Sequence, residues 1–379
     1  MDRFSVVYRL TGTEAEAYRK AEDICLEQTV EFPGELLPKG FIRDNIVGQI
    51  EEFLPDGPGA CRATVSFAIE TAAQELTQLL NVIFGNISIK PGYRVEEIRL
   101  PESMTKTYPG PRFGKRGLRE WLNVAERPLL FSALKPMGMS VRELAGLAYQ
   151  LALGGIDIVK DDHGLTDQGF APFYERVEAC AEAVERANRE TGQQSIYVAN
   201  VTAPYGEVIQ RARIAKDNGA RGLLIAPGLA GFDTMRSLAE DDTVGLPVFS
   251  HPALLGSYVM SPQNGISHFA LFGQITRLAG ADGSIYPNFG GRFSFSREEC
   301  RRIVQGTSAS MGHFKTIFPC PGGGMSISSI PDMIQVYGAD VIFLVGGGLF
   351  KRGPDIVENC RYFRSLVDGV GCRHEVLSL

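Results

Sequence analysis

From about residue 128 onward the chain alternates short, almost wholly apolar runs with longer amphipathic ones. The apolar runs are PLLFSALK (128–135), IDIVK (156–160), SIYVAN (195–200), GLLIA (222–226), PVFSH (247–251), GSIY (283–286), KTIFPC (315–320) and VIFLV (341–345). Their length, their β-branched and aromatic content and the glycines that gather at their ends predict eight β-strands. The stretches between them include VRELAGLAYQLALGG (141–155), FYERVEACAEAVERANRETG (173–192) and GEVIQRARIAKDNGA (206–220). Apolar residues recur three or four apart in each, and several end in glycine, which predicts helices with a C-terminal stop. Strands apolar on both faces belong to a covered parallel sheet. Eight such strand-helix alternations fit a closed (β/α)8 TIM barrel over residues 126–379, with an open doubly wound sheet as the rival.

Residues 1–125 have a different texture. VVYRL, RATVSFAIE and EIRLP have strand character, whereas TEAEAYRKAEDICLEQ and ELTQLLNVIFG have helical periodicity. These predict a smaller, separate α+β (ferredoxin-like) domain. PGPRFGKRG (109–117), rich in Pro, Gly and Arg, is expected near the junction, and the tail from about residue 353 is expected to pack as helix and then fray.

Composition narrows the classes. A chain of 379 residues, 44% hydrophobic and 22% charged, can bury one large core and a smaller second one. A net charge of −6, a pI near 5.6 and no basic run argue against a nucleic-acid partner. MDRFSVVYRLTG resembles neither a signal nor a transit peptide, and no apolar segment approaches eighteen residues, so a cytoplasmic protein without a membrane partner is expected. Seven cysteines, at 25, 61, 180, 300, 320, 360 and 372, form no CxxC pair and read as free thiols.

In a (β/α)8 barrel the chemistry sits at the C-terminal strand ends. Here those ends carry Lys135, then Lys160-Asp161-Asp162-His163, Asn200, Ser250-His251, and Asn288 with Arg292. PGGGM (321–325) follows the seventh strand and GGG (346–348) the eighth. Glycine lets backbone N–H groups approach an anion, so these triplets read either as a phosphate site or as tight turns. On an extended backbone the side chains of Lys160 and Asp162 point the same way and Asp161 points away from them, a bystander to the chemistry. Carboxylate oxygen suits Mg²⁺, but a lysine ammonium repels a cation unless it is neutralised or converted to a carbamate by CO₂. The competing reading is a Lys160–Asp162 ion pair with His163 as general base. Lys135 reads either as a proton carrier or as an anion-pairing lysine.

FSALKPMGMS (131–140), GGIDIVKDDHG (154–164), PGGGM (321–325) and LVGGGLF (344–350) resemble, in order and spacing, the barrel motifs of the RuBisCO large-chain superfamily. Upstream, LLNVIFGNISI (79–89), RLPESMTKTYPGPRFG (99–114) and ERPLL (126–130) extend the likeness over nearly the whole chain. The resemblance implies Mg²⁺ held at Lys160, as its carbamate, and at Asp162, with His163 standing where the family has a glutamate ligand. It gives Lys135 the role of proton carrier in enolisation and places His251 near the substrate hydroxyls. Arg292 stands at the position of a mobile-loop lysine. Asn288, from its place after the sixth strand, is expected among the substrate-binding residues, and by resemblance Gly322, Gly323, Gly347 and Gly348 match the glycines that hold one phosphate. Asn86, and Glu27 in LEQTVE, match residues that reach into a partner subunit's site, which implies a homodimer with shared active sites.

The departures shape the functional expectation. Met137 replaces a lysine, Pro252 an arginine of the second phosphate clamp, and Ile285 a strand-six histidine. A buried second phosphate would be left unpaired at a cost of several kcal/mol, so the substrate is expected to carry one phosphate, and ribulose-bisphosphate carboxylation is not expected. The resemblance therefore implies a RuBisCO-like enzyme of the non-CO₂-fixing form IV type that makes a Mg-stabilised enolate. Decarboxylation or C–C cleavage of a 3-oxo sugar-acid phosphate, of the 3-oxo-isoapionate 4-phosphate type, is preferred because Arg292 can pair a carboxylate. The alternatives are 5-methylthioribulose 1-phosphate isomerisation, enolisation of a diketo-methylthiopentyl phosphate, and sugar-phosphate binding without catalysis.

Overall fold

Strands β1 (Arg3–Thr11), β2 (Gln49–Pro55), β3 (Ala60–Ala68) and β4 (Tyr93–Arg99) pair antiparallel in the order β4-β1-β3-β2. The computed structural model describes residues 2–204, 206–293 and 295–370. Helices Glu14–Glu27 and Leu76–Phe84 bury Ala17, Ala21, Ile24, Leu79 and Ile83 against this sheet. The first helix starts where the sequence signals it, with Thr13 and Glu16 forming a reciprocal capping box. The β2 strand was not apparent in the sequence: its residues QIEEFLP are mostly exposed, so the edge lacks the apolar alternation that marks a half-buried strand.

All eight expected barrel strands are present: β5 (Leu129–Leu134), β6 (Ile158–Asp161), β7 (Ile196–Asn200), β8 (Gly222–Ile225), β9 (Val248–Ser250) and, after a two-residue β10 (Gly265–Ile266), β11 (Gly283–Pro287), β12 (Phe318–Gly322) and β13 (Ile342–Leu344). Their ladders are parallel and run β12-β11-β9-β8-β7-β6-β5-β13. Sequential order, with the last strand beside the first, rules out the doubly wound rival, whose strand order reverses. The two edges abut, since a side chain at Gly322 would meet Leu344 at 2.9 Å. Strands β5 through β9 are buried along their whole length, which is why they read as mainly apolar runs.

Phe131, Ile158, Val198, Leu224, Phe249 and Phe318 help fill the barrel interior, and Leu118 and Leu122 of helix Gly114–Leu122 join the same cluster. The stretch expected as a junction thus runs into a helix that covers one end of the barrel. Buried Asp282 anchors its start: Oδ1 accepts the N–H groups of Phe113 and Gly114, both at 2.7 Å, and Oδ2 that of Val248 at 3.1 Å. The two sheets are also tied together, because β10 adds parallel to β4 and the Gln274 amide bonds both the N–H and the C=O of Ile98. The expected C-terminal helix spans Ile356–Val367, and residues 371–379, including Cys372, lie outside the described residues. The other six cysteines are buried and free. Among the described residues no helix is long and apolar enough to cross a membrane.

Candidate active site

The end of β6 sorts its residues by face. Lys160 points into the barrel and is only 2% exposed, its Nζ donating to the Asp161 carbonyl at 2.9 Å. Burial lowers its pKa to about 8, helped by the charge of Lys135 and opposed by Asp162. Asp161 points outward to a buried brace: Arg176 Nε at 3.2 Å, the Tyr197 hydroxyl at 2.7 Å and the Asn200 N–H at 3.0 Å. Arg176 also donates to the carbonyls of Ala171 and Thr166, and the Asn200 amide to those of His163 and Leu165. This network fixes the loop that leaves β6, and the sequence showed only one hint of it, the outward phase of position 161.

Asp162 is the carboxylate at the centre of the mouth. Lys135, just beyond β5, places Nζ 2.6 Å from Asp162 Oδ1, and His163 Nδ1 lies 3.3 Å from the same oxygen. Burial alone would raise the Asp162 pKa, but the hydrogen bonds from His163 and Lys135 and the nearby lysine charges hold it well below the usual carboxylate range. The His163 ring stacks on that of His251, centroids 4.3 Å apart and planes inclined by 11°. Burial, followed by the charges of Lys160 and His163, pushes His251 well below its ordinary pKa, so the ring is neutral. His251 Nδ1 accepts the Ala253 N–H at 3.2 Å, which leaves the proton on Nε2.

These residues line one cavity of about 1220 Å³. Lys135, Lys160, Asp162, His163, His251 and Arg292 all reach it, together with Gly323, Gly347 and Gly348. Gly322 is built into β12 beside Leu344, and Gly324 and Gly346 line the cavity in addition. Gly323 and Gly324 have φ of +81° and +102°, so the turn after β12 needs glycine. Asn288 does not face the cavity. Its amide is fully buried, accepting the Tyr337 hydroxyl at 2.5 Å and donating to the Phe289 carbonyl at 2.9 Å, which ties the end of β11 to helix Ile330–Tyr337.

Glu27 and Asn86 are brought together, but on the outer surface of the N-terminal sheet domain. Asn86 Nδ2 donates to Glu27 Oε1 at 3.0 Å, and Lys90 Nζ to Oε2 at 3.0 Å. Neither lines this chain's own cavity. Residues the sequence reading passed over also line the mouth, among them Ser326, Ser328, Lys351, Arg352 and Tyr362. The Lys-Arg pair three positions after a glycine triplet was a readable signal.

The fit to a divalent metal depends on the state of Lys160. With Lys160 as an amine, two lysines converge on a single carboxylate, and among the described residues no group of three or more His, Cys, Asp or Glu side chains is placed to hold a metal. That set does not fit a hard cation. Carbamylation would turn one positive charge negative and add oxygen donors, and Lys160, Asp162 and His163 would then be a fitting set.

A family model described as the ribulose bisphosphate carboxylase large chain, catalytic domain, matches residues 114–354. The chain is 36% identical over 370 residues to ribulose bisphosphate carboxylase-like protein 1 of Rhodopseudomonas palustris, covering 98% of this chain and 99% of the relative. It is also 36% identical over 373 residues to the 5-methylthioribulose-1-phosphate isomerase of Rhodospirillum rubrum, covering 98% of each. The solved structure of a Rubisco-like protein from Rhodopseudomonas palustris superposes with a TM-score of 0.88 at 33% identity, over 97% of this chain and 98% of that one.

Proposed function

The chain belongs to the ribulose bisphosphate carboxylase large-chain family, and on that premise we propose that it is an enzyme that enolises a singly phosphorylated ketose and moves a proton between carbons without fixing CO₂. The observation that carries this reading is that charged groups, glycine loops and apolar side chains line one and the same cavity. Lysines, histidines and glycine loops line it together with the apolar side chains of Pro252, Ala253, Met260 and Ile285. A substrate with one anionic end and an uncharged tail matches that lining, and a 5-methylthioribulose 1-phosphate has this form. Isomerisation by 1,3-proton transfer is therefore the leading reading, in keeping with the isomerase relative.

Each residue of the mouth then has a task. Lys135 carries the proton at the carbon beside the carbonyl, and Asp162 holds its ammonium in place between turnovers. Neutral His251 donates its Nε2 proton in a hydrogen bond to a substrate oxygen. Backbone N–H groups of the loops at Gly323 and at Gly347–Gly348 face the phosphate. Carbamylated Lys160, Asp162 and His163 would hold the divalent metal, which when bound supplies electrostatic stabilisation of the enolate oxygen. Glu27 and Asn86 complete the site of a second copy in a homodimer.

Arg292, which lines the same cavity, favours a second reading: it can pair a substrate carboxylate, as decarboxylation of a 3-oxo sugar-acid phosphate requires. Purified protein supplied with Mg²⁺ and bicarbonate and offered both substrates separates the two. Isomer formation from methylthioribulose 1-phosphate with solvent deuterium incorporation supports the first, and CO₂ release from the sugar acid supports the second. Binding of either without deuterium exchange or CO₂ release defeats both and leaves a sugar-phosphate-binding protein.

A further inference from the structure

A glycine loop offers a phosphate only dipoles, so a doubly charged monoester also needs cations within the same cavity. The lysines at the strand ends are already committed, Lys135 to Asp162 and Lys160 to the Asp161 carbonyl. Next to His251 the lining is Pro252 and Ala253, with Ile285 on β11, and these three side chains carry no charge; beyond β11, Arg292 lines the cavity and its backbone N–H donates to the Gly323 carbonyl at 3.1 Å. Just beyond the second glycine triplet the chain supplies two cations in succession. Lys351 and Arg352 both line the cavity, and the Lys351 N–H returns to the Gly348 carbonyl at 3.4 Å, which keeps the pair within one turn of the glycines. The Arg352 guanidinium lies 4.0 Å from the ring centroid of Tyr362, a cation–π platform that restricts its orientation. From the loop after β12, the Ser326 and Ser328 hydroxyls, 2.7 Å apart, line the same cavity.

We propose that Lys351 and Arg352 form the cationic half of the phosphate site, with Tyr362 positioning the guanidinium, and that they set this chain's preference for a phosphate monoester. The inference rests on the one-phosphate reading above and assigns it residues. The cations that neutralise the phosphate come from the segment after β13, and Pro252, Ala253 and Ile285 are left free to contact an uncharged substituent.

The test uses the full-length protein and inorganic phosphate as probe, followed by calorimetry and by its competition against methylthioribulose 1-phosphate. Replacing both cations, K351M/R352M, is expected to weaken phosphate binding by about tenfold or more and to raise KM by a similar factor, with kcat changed by less than about threefold. The conservative pair K351R/R352K is expected to retain most of the affinity. Y362L should weaken phosphate binding less than the double replacement does. Lys39→Met, a surface cation remote from the cavity, should change nothing. If K351M/R352M binds phosphate like the wild type while Gly347→Ala does not, the glycine site stands and this assignment is overturned. If the wild type itself neither binds phosphate nor turns over a phosphorylated ketose, the one-phosphate reading falls and the assignment falls with it.

Discussion

Lys135 Nζ lies 2.6 Å from Asp162 Oδ1, the shortest ion-pair contact at the barrel mouth, although the lysine side chain remains 37% exposed to the cavity while its partner is only 10% exposed. A side chain in that position is anchored at its tip and reachable by a ligand. Lys135→Met should therefore fold normally and lose deuterium exchange into the bound ketose phosphate by about 10²- to 10⁴-fold, the usual contribution of a positioned proton carrier. Exchange followed by NMR checks this, and a near-wild-type rate in the variant would remove Lys135 from the mechanism.

Gly347 separates a phosphate cradle from a mere turn. A Cβ built there meets no protein atom within 4 Å, and the residue has an ordinary negative φ, so Gly347→Ala costs the fold little. With a phosphate against the backbone the same methyl intrudes on the ligand. The variant should keep its melting temperature and show a KM raised by about tenfold or more. An unchanged KM would make the triplet a turn and nothing else.

If, as proposed, Glu27 and Asn86, paired on the outer surface away from this chain's own cavity, complete a second copy's site, subunits should complement one another. Glu27→Gln and Lys135→Met homodimers should each be impaired. Random mixing after denaturation should restore one intact site in each heterodimer, about a quarter of the wild-type sites overall. Persistent inactivity of the mixture, despite verified exchange of subunits, would place Glu27 outside the shared site.

The Asp161–Arg176 pair is fully buried, so removing one partner strands a charge. Arg176→Met should lower unfolding free energy by about 3–5 kcal/mol, read from urea denaturation, and should loosen the loop from 162 to 171 that Arg176 ties down. A loss below about 1 kcal/mol would mean that Tyr197 and Asn200 suffice to hold Asp161.

Asp282 gives the stability a pH signature. Burial raises its pKa from 3.8 to about 6, against the lowering effect of its three backbone N–H bonds. A raised folded-state value means that this group's stabilisation is complete below pH 3.8 and is lost as pH rises through about 6. The stability advantage of wild type over Asp282→Asn should therefore grow by about 1 kcal/mol between pH 7 and pH 5, measured by urea unfolding at each. A gap that does not change with pH would refute the assignment.

Much of this architecture was legible because burial on both strand faces leaves short, mainly apolar runs, polar chiefly at their C-terminal ends, at β5 to β9, β11, β12 and β13. Strand β2 was not legible, since an exposed edge has no such pattern. The convergence of Lys135, Asp162, His163 and His251 could be read from the rule that chemistry sits at strand ends, for it depends on topology more than on loop detail. The fate of Asn288 could not. Whether an amide at a strand end turns to the cavity or to a tyrosine on a distant helix is decided by packing across 49 residues of sequence. Lys351 and Arg352 were missed for a similar reason: a charged pair beyond a turn reads as solvated until the turn's direction is known.

Asp161 and Asp162 are chemically identical neighbours with opposite duties, one locked in the brace with Arg176 and the other open to the mouth. The pleat of a strand thereby acts as a partition. Substitutions at 161 and at 162 meet different constraints, a buried brace at the one and the lining of the cavity at the other. The His163 imidazole lines the mouth two positions from the brace, its backbone carbonyl held by Asn200. A lineage on such a scaffold can change the reaction it runs while inheriting its frame intact.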